Sequence, residues 1–178
     1  MERRSGGEGD GRAVPHDDAE AADAPARQYL NELIKELQAA RLGLPLSQRR
    51  LSAQLGLNEY IVRRWETGID LPFTGNFVRW AHALGHNVSL LDPAGPLATP
   101  SPQPRRSEAR ELYEFRRIAA ALRALRSEAG LTQKALADIL LISGWTMSMW
   151  ELAQRQPRIL HLIKWADALG CRLALTKL

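Results

Sequence analysis

The sequence predicts an all-α fold: two tandem bundles of four to five short helices, each ending in a short strand able to pair into a small ribbon. Three observations predict it. The chain repeats itself, its apolar residues recur at helical spacing, and cap and breaker residues fall at matching places in both copies. At an offset of 85 residues, positions 46–90 overlie 131–175 without a gap. Identities include Gln48/Gln133, Leu51/Leu136, Trp65/Trp150, Glu66/Glu151, Pro72/Pro157, Trp80/Trp165 and Gly85/Gly170. Two tryptophans, a proline and a glycine in ungapped register are the mark of an internal duplication.

The elements follow in order. Residues 1–26 are rich in Gly, Ala, Asp and Glu without apolar period, and read as a disordered acidic tail. The first domain spans 27–91. Its opening helix carries Leu30, Leu33, Ile34 and Leu37 on one face, and Phe115, Ile118, Ala119 and Leu122 repeat that spacing in the second domain, 107–178. Ser47 and Thr132 are expected N-caps of the second helices, whose Leu51 and Leu55 face inward in the first copy. Asn58 and Ser143 are the next N-caps, so the intervening turn is tight. Trp65 and Trp150 close the third helices. Pro72 and Pro157 break the chain before a last helix that stops at Gly85 or Gly170, residues suited to a left-handed C′ position. Residues 87–91 and 172–177 alternate apolar and polar, as an antiparallel ribbon requires. Between the domains, five prolines in 92–106 forbid a helix and predict an extended, semi-stiff linker.

Composition narrows the function classes. The net charge is +4, with −4 in residues 1–26 and therefore +8 in the remainder. A basic body suits a polyanionic partner, because neutralising phosphates releases condensed counterions. No run approaches the roughly 18 apolar residues of a membrane span, and the N-terminus lacks the apolar core of a secretory signal. Cys171 is the single cysteine, which excludes a disulfide framework, and it reads as a buried thiol. His82 and His86 stand four apart with a helix-ending glycine between them and no third ligand nearby. No glycine-rich phosphate loop or nucleophile elbow occurs. The reading is a non-enzymatic protein with no metal, no cofactor and no membrane, cytoplasmic and nucleoid-associated.

The runs LSQRRLSAQLGLNEYIVRRWETG and LTQKALADILLISGWTMSMWELA resemble the lambda-repressor-like helix-turn-helix family, also called the Cro or xenobiotic-response-element type. The resemblance covers about residues 27–90 and 112–175. It implies that the second helix crosses the DNA backbone while the third lies in the major groove. Ser47, Gln48, Thr132 and Gln133 then open the second helices against phosphate, with Arg49, Arg50 and Lys134 alongside. Asn58, Glu59, Tyr60, Ile61 and Arg63 face outward from the first recognition helix, as do Ser143, Gly144, Trp145, Thr146 and Ser148 from the second. Arg63 is the best candidate for bidentate contact with guanine, and Arg64 for phosphate. Val62 and Met147 face the core. The resemblance also implies buried ion pairs Arg41–Glu66 and Arg126–Glu151. Leu141 replaces the glycine the family prefers at the turn, kept in the first copy as Gly56.

The expected function is a sequence-specific regulator of transcription, repressor in type, that binds double-stranded DNA. One chain would act as an intramolecular pseudo-dimer on two unequal half-sites, with further oligomerisation open. Two rivals stand beside it. An antitoxin would bind DNA and also a protein partner through Trp145 or the N-terminal tail. An adaptor would have kept the fold for protein contacts alone.

Overall fold

The first helix starts earlier than its apolar face suggests. A computed structural model describes residues 16–178, with side chains from residue 23 onward, and α1 runs His16–Gly43. Residues 16–26, read from composition as the end of a disordered tail, are therefore helical, and the rest of that tail lies outside the described residues. Pro25 removes one backbone donor from this helix. Docking offsets that loss: Asp23 accepts a 2.6 Å bond from Lys164 Nζ, and Tyr29 Oη donates to the Leu173 carbonyl.

Short helices follow where the caps dictate. Helix α2 (Gln48–Gln54) begins behind Ser47, whose hydroxyl accepts the Arg50 N–H. Then come α3 (Ile61–Glu66), α4 (Thr74–Ala83) and strand β1 (His86–Asp92). The second half repeats the order with α5 (Arg110–Glu128), α6 (Gln133–Ile139), α7 (Gly144–Glu151), α8 (Ile159–Asp167) and a terminal strand, Arg172–Lys177. Thr132 caps α6 through the Ala135 N–H, and Ser143 caps α7 through the Thr146 N–H. Asn58 departs from its expected role. Its carboxamide accepts the Tyr60 N–H and its carbonyl the Ile61 N–H, so it closes a turn and the helix proper begins three residues later.

The proline-rich segment is not extended throughout, as its composition predicts. Asp92 Oδ1 accepts the N–H groups of Ala94 and Gly95, and the chain reverses into β2 (Gly95–Pro96), antiparallel to β1. An Asp-Pro-Ala-Gly run is turn chemistry, since the carboxylate bonds its own backbone and proline presets the bend. Farther along, Arg117 on α5 donates to Thr99 Oγ1. The terminal strand, here β3, pairs with the other side of β1 to complete a three-stranded antiparallel sheet of order β2-β1-β3.

One apolar cluster runs through both halves, from Leu30 to Leu173, with Trp80, Trp165, Phe77 and Phe115 fully buried. Helix α1 packs on α8 and α4 on α5. Residues 85 positions apart in the chain meet each other. Ser89 lies opposite Ala174 in the sheet, and Phe73 bridges Arg158. Thr74 N–H donates to Pro157 O at 3.0 Å, and Ile159 N–H returns the same bond to Pro72 O at 3.0 Å. No helix among the described residues is long and apolar enough to cross a membrane.

The tight turns differ between halves. Gly56 has φ +64°, and Leu141 adopts φ +56° at the matching place. A side chain in this left-handed region costs on the order of 1–2 kcal/mol, against about 0.5–1 kcal/mol for the extra freedom of an unfolded glycine. Leu141 is 67% exposed, so its truncation loses little burial. Leu141→Gly is expected to be more stable than Leu141→Ala by about 0.5–1 kcal/mol in urea unfolding. An alanine variant of equal or greater stability would contradict the turn assignment.

Candidate nucleic-acid interface

A buried carboxylate fixes the angle between α2 and α3. Glu66, its side chain 1% exposed, ends α3 and accepts Arg41 Nε at 2.6 Å and Nη2 at 2.9 Å. Gln48 Nε2 adds a third bond to Glu66 at 2.7 Å, and Arg41 Nη1 donates to the Leu46 carbonyl at 2.7 Å. The end of α1, the approach to α2, its first residue and the end of α3 thus meet at one point. The second half builds the same knot. Arg126 holds Glu151 through Nε and, at 3.1 Å, through Nη2, while its Nη1 donates to Leu131 O at 2.6 Å. Gln133 Nε2 donates to Glu151 at 2.7 Å. The bond from Glu151 raises the Arg126 pKa, outweighing the opposing effect of burial. Such charge-assisted, bidentate bonds are among the stronger ones available to a protein. The amides of Gln48 and Gln133, expected against phosphate, are turned inward onto these carboxylates.

Two further side chains, neither evident from the sequence motif, brace the first turn. Ser52 is fully buried on α2, and its hydroxyl accepts the Val62 N–H at 3.2 Å, joining α2 to α3 across the turn. A polar residue beside Leu51 on the inward face was its signal. Arg79 reaches from α4 to the Leu55 carbonyl at the C-terminus of α2, where a cation meets the negative end of the helix. Its position on a helix outside the motif hid it.

On this support α3 presents a basic face. Val62 and Trp65 are buried, whereas Arg63, Arg64 and Tyr60 are exposed. Arg50 and Arg63 make no ion pair among the described residues, and Arg64 Nε lies 4.0 Å from Asp70. Arg49, its side chain 82% exposed, pairs with Glu59 at 2.6 Å. An open pair of this kind contributes little to stability and exchanges readily. Hydrogen bonding to Glu59 raises the pKa of the Tyr60 phenol. Ile61, expected to face outward, is half-buried and lines a cleft with Leu57, Trp65 and Phe73. Ser47 and Asn58 are exposed at the starts of the two elements.

The α7 face has a different character. Gly144 is exposed, and Trp145 is 59% exposed with the Arg155 guanidinium 5.4 Å from its ring centre. Thr146 and Ser148 are half-buried, Thr146 sharing a 2.8 Å hydroxyl bond with Ser143. Lys134 is paired with Asp138 at 2.7 Å. Met147 and Trp150 turn inward. Around Trp145, Ile139, Leu141 and Leu152 are exposed.

Other candidate groups are occupied by the fold. His86 is buried, its Nδ1 bonded to the Leu84 carbonyl, and no group of three or more His, Cys, Asp or Glu that could hold a metal ion occurs among the described residues. Cys171 is buried, with Sγ donating to Ala166 O, and burial pushes its thiol pKa up to about 11.

Residues 122–175 match the family model described as Helix-turn-helix, a stretch that runs from the end of α5 through α6, the turn and α7 into β3. A match over that stretch suggests a DNA-binding regulator, a class that is in general not enzymatic. No curated protein and no solved structure matches the chain.

Proposed function

We propose that the chain is a repressor-type transcriptional regulator that binds double-stranded DNA mainly through its first half, with the two halves acting as tandem helix-turn-helix copies in one pseudo-two-fold unit. The observation that carries this reading is the basic face of α2 and α3. Arg49, Arg50, Arg63 and Arg64 are all exposed there, on two helices held at a fixed angle by the buried Glu66. The tandem reading is supported by the repeat of the Arg–Glu–Gln knot and by reciprocal bonds between residues one repeat apart.

In this reading α3 enters the major groove, where Arg63 can span guanine O6 and N7. Arg50, Arg64 and the free N–H groups behind Ser47 take phosphates, joined by Arg49 once Glu59 releases it. Two equal half-sites per chain are not what the charges favour. On the second-half counterpart Lys134 is the one cation of α6 and α7 carries none, so phosphate neutralisation falls mainly to the first half. A protein-contact reading, as adaptor or antitoxin, is favoured for the second half alone, by exposed Ile139, Leu141, Trp145 and Leu152.

Selection of duplexes from a random pool by the full chain tests the proposal. An enriched motif with one dominant half-site is expected, and affinity for it should fall with salt by a log–log slope of about −0.9 per phosphate neutralised. A chain that enriches no sequence and binds no duplex at low salt would refute it.

A further inference from the structure

The two halves place the same elements in the same relation, so their outer faces can be compared position by position. Where the first half has Gln54, Gly56, Tyr60 and Thr67, the second has Ile139, Leu141, Trp145 and Leu152. All four of the latter are at least 46% exposed. Where the first half has Arg49, Arg50, Arg63 and Arg64, the second has Lys134, Ala135, Ser148 and Met149. Single exposed apolar side chains are ordinary on a protein surface. Four of them at the end of α6, in the turn and along α7, where the first half carries Gln, Gly, Tyr and Thr, are an excess of the kind that marks a protein contact.

From this contrast we infer that the α6–α7 face seats a second copy of this chain. The charges beside the patch are self-complementary. Lys134 and Asp138 stand one turn apart on α6, with side chains 82% and 61% exposed. In a two-fold contact every residue i that meets j is matched by j meeting i. Two α6 helices laid antiparallel across such an axis set each Lys134 against the other copy's Asp138. The Arg155 guanidinium stacked on Trp145 adds a polar edge to an uncharged centre, the usual anatomy of a protein interface.

The inference rests on the function proposed above for its consequence. Two chains joined through their second halves carry two basic first-half faces, and a second duplex contact becomes intramolecular once the first has formed.

Sedimentation velocity of the full chain without DNA, across a wide concentration range, reads the contact directly. A concentration-dependent dimer is expected. Trp145→Glu and Leu141→Glu should each weaken it by at least about tenfold, because each sets a carboxylate against an apolar surface. Both positions are exposed, and unfolding midpoints would verify that the variants fold. Asp138→Lys should also weaken the dimer, and the double swap Lys134→Asp with Asp138→Lys should restore it, as contact between identical faces requires. A chain that stays monomeric throughout overturns the inference, as does a dimer indifferent to both glutamates or a swap that restores nothing. Duplex binding by the wild-type chain is a separate readout: a dimer that binds no DNA would refute the regulator reading and leave the contact standing.

Discussion

Glu66→Ala is expected to destabilise the protein by about 3–5 kcal/mol, because it strands a buried arginine without its counter-charge. For a chain of this size each kcal/mol moves the melting temperature by about 2–4 °C, so a fall on the order of 10 °C should be visible by calorimetry. The loss exceeds that of one ion pair. Arg41 forfeits both carboxylate bonds while its side chain stays 8% exposed, and the Gln48 amide loses its acceptor too. Glu151→Ala should match it, since Arg126 and Gln133 are left in the same way. Glu59→Ala supplies the contrast. It breaks an equally short contact to Arg49 at the surface and should change stability by less than about 1 kcal/mol. Replacing Arg41 by methionine in the Glu66→Ala background should recover part of the loss, because the unpaired buried charge goes with it. A drop below about 1 kcal/mol for both glutamates would mean that the knot is not what holds α2 against α3.

What was legible in the sequence follows the reach of each physical signal. The duplicated tryptophans, the leucine spacing and the Ser47, Thr132 and Ser143 caps are local, and the helices form where they indicate. The ribbon was legible because period-two alternation in 87–91 and 172–177 has few other uses, and the two segments pair in antiparallel register. Several departures from the sequence expectation share one cause: a neighbour in space that spacing along the chain does not reveal. Residues 16–26 look solvated until α8 offers Lys164 to Asp23. Gln48 and Gln133 have the right chemistry for phosphate, but a buried carboxylate lies closer. Ile61 follows the outward residues Glu59 and Tyr60, yet the late start of α3 turns its side chain toward Phe73. In the proline-rich run proline content alone predicts an extended chain, whereas the order Asp-Pro-Ala-Gly decides that it turns. The inequality of the two faces was readable from the start, because charge at matching positions needs no coordinates. Only exposure shows that the apolar residues of the second half remain on the surface.

The DNA reading makes its sharpest demand on two neighbouring arginines. Arg63→Ala should cost about 1–3 kcal/mol on the selected duplex and relax preference at one base pair, because a bidentate guanine contact is lost. Arg64→Ala should weaken selected and random duplexes alike and reduce the salt slope by about one, because a phosphate contact carries no sequence information. Both side chains are exposed on α3 and neither belongs to the buried core, so folding stability should be nearly unaffected and the binding change can be read without correction. The split between the two variants is the decisive quantity. Arg63 stands one residue after buried Val62 and two before buried Trp65, which aims it away from the protein axis. Arg64 lies toward Asp70, at the edge of the face where a backbone would pass. If Arg63→Ala lowers affinity equally for every sequence, α3 touches only phosphate and specificity must come from elsewhere in the chain. If neither variant changes affinity, the basic face of the first half is not a DNA surface at all.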